Sequence, residues 1–527
     1  MGTVKRPWLA FIGLLFGSFT VIEAMAFQIP ALPVLTKAFG IPVALSGLIS
    51  LAYYLTHTVC GPVFGNIADQ FGRKRTVMIG LGIFAVSEYA AALSPNFAVY
   101  LAARVVQGIG AACVVPAGIA YATYLFPTEK RGTALGVFAA IGTLGAAAGG
   151  IVGGLVVANF GWQAIYVVSG TLAVLGLLLV KFVVPETPSA ERKPFDYAGS
   201  FLLLLAVGTL LSVTTLMANL GIASPYTLTV LMAGIILAVL FWTVEKRSKH
   251  PFIELSLLKN RHFILPLVLL FLLGICYQGV LYTNAFFVSS VPGGGPHLAG
   301  MLTMYVYVAG AVGGLVGGKL VDMIRMKYVI ITGILLFMAG SVVYSTYTVH
   351  TPFWYVVMTV IILVSGVTLL GPAITKMAMD VVPPAKLSTG SGTFTMIRDL
   401  GNPTGQTTGL AVFGTLSASS LAAALAQQAT KAGVSEEYLP AIAEAGQSAG
   451  ASIPQTLADH LAAIGAQFQT LYEAARLDGM IMALNSMSYI VIGVSILVLL
   501  LSLFLPNIPV KRTSMKPIAT DQPVTEV

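Results

Sequence analysis

The eleven residues Gly65 to Arg75, "GNIADQFGRKR", place a glycine four positions ahead of an aspartate and then three consecutive basic residues, all between two long apolar runs. Charge is scarce elsewhere. Only 9% of the 527 residues are charged and 57% are hydrophobic, against about 25% charged in an ordinary soluble protein. The apolar runs recur along the chain, and many reach the roughly 18 residues that span a hydrocarbon core of about 30 Å. Lipid offers backbone groups no partners, so such runs must be helices. A soluble protein with an outsized core is excluded. The chain reads as an all-α, multi-span membrane protein, and the eleven residues as a connection between two spans.

Working outward, spans are expected near residues 8–27, 44–65, 76–92, 97–121, 133–157 and 162–184, then 197–217 and 227–244. The rest fall near 263–287, 298–321, 328–347, 353–377, 391–416 and 480–505, about fourteen in all. Basic residues gather in alternate connections: Lys5/Arg6, Arg73/Lys74/Arg75, Lys130/Arg131, Arg192/Lys193, the Lys246–Arg261 connection, Arg325/Lys327, Lys386 and Lys511/Arg512/Lys516. Only Lys37, Lys431 and Arg476, of 28 basic residues, fall on the other side. By the positive-inside rule the basic side is cytoplasmic, with both termini. The expected location is a bacterial inner or plasma membrane. The net charge of +8 is thus spent on topology, and no nucleic-acid partner is expected. No cleavable leader is expected either, because the first run continues towards Pro30 and Pro33.

Cys60, Cys113 and Cys276 lie inside apolar runs and read as small buried residues. No metal-spaced His/Cys group, phosphate loop or nucleophile–base set stands out, so neither a cofactor nor an enzyme activity is expected. One exterior connection is long, about 417–479. It is rich in Ala, Gln and Ser, mildly acidic, and contains helical spacing in "QTLADHLAAIGAQFQTLYEAARL". It reads either as an amphipathic helical excursion or as a loose spacer.

The opening stretch has a weaker echo, "GKLVDMIRMK" (Gly318 to Lys327), at the end of the tenth span. Both keep Gly-x-x-x-Asp followed by basic residues on the same side. The expected organisation is a six-helix half over 1–184, a two-helix insertion over 185–250, and a second half over 251–527. Two similar halves around a midplane site are a recurrent transporter architecture. In that frame Gly65 permits close helix approach, and Asp69 meets the positive end of a helix start. Arg73, Lys74 and Arg75 anchor the turn on the anionic surface. Gly65, Asp69, Arg73 and the echoing Asp322 are therefore expected to form a cytoplasmic gate that holds the two halves together.

"GNIADQFGRKR" resembles the signature loop between the second and third helices of the major facilitator superfamily. "RVVQGIGAA" (Arg104 to Ala112) is similar to its fourth-helix motif. "GAAAGGIVGG" (Gly145 to Gly154) is similar to its fifth-helix antiporter motif, with Gly150 where a proline is usual. "IEAMAFQIPALP" resembles the first-helix motif of the fourteen-helix drug:proton antiporters, with Glu23 for Asp and Gln28 for Asn. "PFDYAG" and "SGTFTMIRDLGNPTG" also resemble that branch. The resemblance implies the major facilitator fold and proton-coupled export of lipophilic, cationic compounds by alternating access. Its partners would be a small organic amphiphilic substrate, protons and the surrounding membrane lipids. A dedicated exporter of an endogenous metabolite, such as an antibiotic or metallophore, would share every motif; a lipid-handling protein is the more distant alternative.

The residues support a coupling site independently, since a carboxylate in lipid is expensive and usually functional. Glu23 lies fifteen residues beyond Trp8, about 22 Å along a helix rising ~1.5 Å per residue, and Arg104 about 10 Å below the other edge. The two are expected at similar depth, paired directly or through water, with Arg104 favouring the charged acid and burial the neutral one. A static ion pair is the alternative. Arg398 and Asp399 diverge by about 100° on a helix and are expected to find separate partners, Asp399 being a second candidate for protonation or cation binding. His57 reads as a neutral core histidine; Glu88 and Lys376 sit near span ends, where they reach the interface. Gly145, Gly149 and Gly153 share a helical face for close packing, with Gly150 and Gly154 completing the motif. Gln28 and, on the ninth span, Tyr277, Gln278, Tyr282, Asn284 and Phe286 mix aromatic faces with hydrogen-bonding tips suited to an amphiphilic guest; core packing explains many of them equally.

Overall fold

A computed structural model describes residues 7–506, except 187–195, 249–250, 252, 254, 384–386, 448–453 and 465–466. Lys5, Arg6, Arg192, Lys193, Lys386, Lys511, Arg512 and Lys516 lie outside the described residues. The first six helices are α1 (Pro7–Ala38), α2 (Val43–Phe71), α3 (Arg73–Ala92), α4 (Phe97–Leu125), α5 (Thr128–Phe160) and α6 (Trp162–Val183). A pair follows, α7 (Tyr197–Leu220) and α8 (Pro225–Arg247), then the short α9 (Leu255–Leu258). The rest are α10 (Arg261–Ser290), α11 (Pro296–Met323), α12 (Met326–Tyr344), α13 (Phe353–Met379), α14 (Leu387–Lys431), α15 (Leu439–Gln447), α16 (Gln455–Ala463) and α17 (Phe468–Ser502).

The fourteen expected spans correspond to α1–α8, α10–α14 and α17. Thirteen of these helices are long and apolar enough to cross a membrane by length and composition. The remaining one is α3, whose 20 residues start with Arg73, Lys74 and Arg75 and include Glu88. It packs against α4 and α6 as a full member of the bundle.

The packing repeats. Within the first half α1 lies on α5, α2 on α4, and α3 on both α4 and α6. Within the second, α10 lies on α14, α11 on α13, and α12 on both α13 and α17. The correspondence α1→α10, α2→α11, α3→α12, α4→α13, α5→α14, α6→α17 thus relates the halves, and it carries the GNIAD stretch onto its echo. The seams between them obey the same exchange: α5 meets α11, and α2 meets α14. The α7–α8 pair stands outside, with α7 against α2 and α14.

The long connection is helical rather than a loose spacer. α14 runs 45 residues without a break, and α17 starts well ahead of its span. With α15 and α16 they enclose a separate apolar core that includes Leu425, Ile442, Leu457, Leu461, Phe468 and Leu471. Gln428 Nε2 donates to Asp478 Oδ2 at 2.5 Å, and His460 stacks on Tyr438 with ring centroids 4.3 Å apart.

Candidate functional site: a buried polar cluster in the first half

The one-residue turn between α2 and α3 explains the charges of the opening stretch. Gly72 holds φ at 107°, a region that side chains rarely enter. Glu186, just past α6, fills the notch: its Oε1 accepts from the Lys74 backbone N–H at 3.1 Å, and its Oε2 lies 3.9 Å from Arg75 Nε. Asp69 Oδ1 accepts from Arg73 Nε at 2.9 Å, and Arg73 Nη1 reaches the Ala120 carbonyl on α4 at 3.5 Å. In the second half Asp322 of α11 meets Lys376 of α13 at 3.4 Å. By the repeat correspondence these are equivalent α2–α4 and α11–α13 ties. Each joins a half to itself, whereas the sequence reading had these residues joining the two halves. Gly65 differs from expectation as well: a Cβ there would stand 3.7 Å from Pro116 Cβ, an ordinary contact with room for a methyl.

The halves close on each other at the opposite end. A Cβ at Gly150 would sit 2.8 Å from Thr303 Cβ, and one at Gly154 2.9 Å from Gly300 Cα, both on α11. At the second seam a Cβ at Gly47 would come within 3.0 Å of Thr407 Cα, and Gly414 faces Ala44. Gly145, Gly149 and Gly153 use the neighbouring face of α5 to approach α1 at Phe19, Glu23 and Phe27. The motif therefore serves two partners, one within its own half and one across the seam.

Behind α5 lies the polar cluster. Glu23 is 4% exposed, and its Oε2 accepts from Ser169 Oγ of α6 at 3.4 Å. Arg104, fully buried, donates to Gln28 Oε1 and to Gln107 Oε1, and its guanidinium lies 4.5 Å from the Tyr53 ring centroid. Gln28 Nε2 donates on to Ser50 Oγ at 2.7 Å. Gln107 Nε2 donates to Glu88 Oε1. Arg104 thus bonds to two amides, and among the described residues no hydrogen bond or ion pair joins it to Glu23. Glu88 is not at an interface but fully buried. The sequence reading missed it because depth was counted from the end of the span. α3 lies between α4 and α6, which cover a carboxylate only four residues from the helix end. Gln107, one helical turn after Arg104, and Ser169 were missed too. The His57 ring stacks on Tyr53 at 6.3 Å between centroids, inside the bundle.

The other expected residues do not converge. Arg398 Nε and Asp399 Oδ1 pair with each other at 2.8 Å, with side chains 42% and 36% exposed. The expectation of separate partners fails because a long guanidinium stem can fold back over a 100° offset. On α10, Gln278 donates to Asn402 of α14 at 2.7 Å, and Asn284 donates to the Val280 carbonyl of its own helix at 2.9 Å. Tyr282 is buried facing Ser50 and Tyr54, and Tyr277 is half-buried facing Tyr307. Phe286 packs on Phe413, ring centroids 6.2 Å apart, in the wall of a cavity of about 330 Å³ with Leu421, Leu477 and Arg476 at the seam end. Successive positions on one helix point around its circumference, which is why a single stretch did not make a single wall. Gln406 of α14, fully buried and facing Tyr54 across the halves, has neither amide atom hydrogen-bonded.

Among the described residues no group of three or more His, Cys, Asp or Glu could hold a metal ion. What remains is a bundle of two repeated halves, closed at one end, in which the buried charged side chains described in the halves all belong to the first. Two repeated halves meeting at a seam are a recurrent architecture of membrane transporters. The comparisons place it further. The Major Facilitator Superfamily profile matches residues 14–406, and the chain belongs to that superfamily. It is 29% identical over 396 residues to the multidrug resistance protein Stp of Mycobacterium tuberculosis, covering 75% of this chain and 73% of Stp. It is 24% identical over 405 residues to the riboflavin transporter RibZ of Clostridioides difficile, covering 75% and 86%. A bacterial homologue of the human lysosomal transporter Spinster, solved in an inward-facing and unoccupied conformation, superposes with a TM-score of 0.66 at 16% identity, over 95% of this chain and 98% of that one. That last likeness concerns the fold.

Proposed function

We propose that this transporter exports lipophilic, cationic compounds in exchange for protons, by rocking its two halves about the seam. The basic face is cytoplasmic by the positive-inside rule, so the conformation described here is closed to the outside. The observation that carries the reading is Glu23, a carboxylate 4% exposed in the middle of α1, whose described hydrogen bond is a long one from a hydroxyl. A carboxylate so placed is costly unless it gains and loses a proton as part of a cycle. The likeness to Stp supports an organic, drug-like cargo. Ser50, Tyr54, Tyr282 and the unsatisfied Gln406 face one another across the halves, offering a cargo hydrogen bonds together with aromatic faces. Asp399 already has its counter-charge in Arg398, so coupling is assigned to Glu23, tuned by Arg104. Asp69 and Arg73, with Asp322, gate the cytoplasmic face by exchanging the ties described here for ties across the halves when that face closes.

RibZ favours a second reading, an exporter dedicated to one metabolite that shares the same machine. One experiment separates them. Purified protein in sealed liposomes is given an imposed proton gradient and ethidium, with internal pH followed alongside dye movement. Dye transport with counterflowing protons, lost in Glu23→Gln, is the expected result. Dye movement without protons overturns the coupling. Proton movement without dye transfers the assignment to the dedicated exporter.

A further inference from the structure

The described residues of α1–α6 bury three charged side chains, Glu23, Glu88 and Arg104. Two acids and one guanidinium do not balance. A buried site resists net charge, so one acid is expected to answer Arg104 while the other keeps a proton. The geometry tells them apart. Arg104 reaches Glu88 through a single side chain: Nη1 donates to Gln107 Oε1, and Gln107 Nε2 donates to Glu88 Oε1. Glu23 has Ser169 as its described hydrogen-bond partner.

Among the described residues, Arg104 is the cation that acts on Glu88. From α4 it faces Arg104, Gln107 and Tyr100; from α6, Tyr166 and Ser169. α1 contributes Glu23, and α2 contributes Tyr53. Ser169 lies beside both acids. Gly170 next to it lets α6 close on Glu88, since a Cβ there would lie 3.1 Å from Glu88 Cβ.

We propose that Glu88 is the standing counter-charge of Arg104, held to it through the Gln107 amide, and that this leaves Glu23 as the acid whose proton is exchanged. Glu88 is then a positioning residue: it touches no cargo and sets the charge that Glu23 experiences. The second half of the statement rests on the coupling proposed above; the first half does not. An amide is a fitting relay because it accepts from the guanidinium with its oxygen and donates to the carboxylate with its nitrogen. Two ionisable groups coupled this closely titrate as a unit, so removing Glu88 changes the behaviour of Glu23 without touching it.

The test is a thermal-unfolding cycle on the full chain in detergent, with Glu88→Gln, Glu23→Gln, Arg104→Gln and the two doubles that include Arg104→Gln. Breaking a buried pair by removing one partner leaves an uncompensated charge. The expected result is that the Glu88/Arg104 double loses less than half the summed loss in Tm of its singles, whereas the Glu23/Arg104 losses add. Additive losses at Glu88/Arg104, or equal non-additivity at Glu23/Arg104, overturn the proposal. If Glu88→Gln yields no folded protein, recovery of a monodisperse peak on adding Arg104→Gln gives the same support, and its failure the same refutation. The second readout is the pH profile of gradient-driven ethidium transport in liposomes. In Glu88→Gln the midpoint should move to about tenfold higher proton concentration, because Glu23 must then answer Arg104, while Glu88→Asp restores the original profile. An unchanged midpoint in folded Glu88→Gln overturns the proposal. Should the parent protein move ethidium without protons, the coupling fails while the unfolding cycle still decides the Glu88–Arg104 pairing.

Discussion

The two halves share a packing plan but not a chemistry. α1–α6 bury Glu23, Glu88 and Arg104 together with Gln28 and Gln107. In the second half the buried polar groups among the described residues are uncharged: Thr283, Asn284, Thr303, Ser341, Thr359, Thr393, Gln406, Thr407, Ser488, Ser495 and Ser502. Most of these hydroxyls bond to the carbonyl three or four residues back, as Thr283, Ser341 and Ser495 do, which is how a membrane helix satisfies them locally. Duplicated architecture therefore need not duplicate function. One half holds the buried charges; the other contributes neutral hydrogen-bonding groups and its own face of the seam.

The comparison is most exposed to Glu23. Replacing Glu23 by Gln should reduce gradient-driven transport to the rate of protein-free liposomes, whereas Asn284→Ala in the second half should leave coupling intact; equal losses would end the division of labour. Next comes the shared seam. Gly150→Leu adds a side chain where Thr303 already stands, and overpacking costs about 1–3 kcal/mol. That corresponds to a roughly fivefold to 150-fold loss of the seam-closed state, readable as faster labelling of a cysteine placed at Ala44 on the other seam. Gly72→Ala forces a side chain into a sparsely allowed backbone region and towards Glu186, at an expected cost of about 1–3 kcal/mol. It should lower Tm without changing the proton-to-cargo ratio. Smallest is the tie in the second half. Lys376→Ala removes an exposed ion pair worth about 0–1 kcal/mol, and should change transport less than twofold and Tm barely, while Arg73→Ala at the equivalent tie does more because Arg73 is more enclosed.

The fold was largely legible before any coordinates, because lipid imposes one secondary structure and a minimum length on each span. The exceptions follow the same physics. α3 was expected over 76–92 and runs Arg73–Ala92, although its polarity weakens its signal. α14 overran its span because nothing in "LSASSLAAALAQQATK" stops a helix until Gly433. The site was legible as residue types and not as pairs. Glu23 and Arg104 stood out as charges in oil, but whether they touch depends on the rotation and tilt of two helices, which spacing does not record. Glu88 was lost because its closeness to the end of α3 was taken for exposure, whereas α4 and α6 cover it. The glycines of α5 were legible as a packing face; that two adjacent stripes serve two different helices was visible only once α1 and α11 were in place.

α14 and α17 pass without interruption into the small helical module beyond the seam end, and that continuity has a mechanical consequence. From Ser417 to Lys431, α14 extends about 22 Å at ~1.5 Å per residue, with its own apolar core fixing it to α15, α16 and α17. The module is continuous with the second half through α14 and α17 and is tied to them by its own apolar core. Any tilt of that half is converted into a lateral sweep of the module over the outer surface. The module is thus a pointer attached from outside: a label on Glu437 and another on Ser94 would register each stroke of the machine as a change in distance, without a probe entering the membrane.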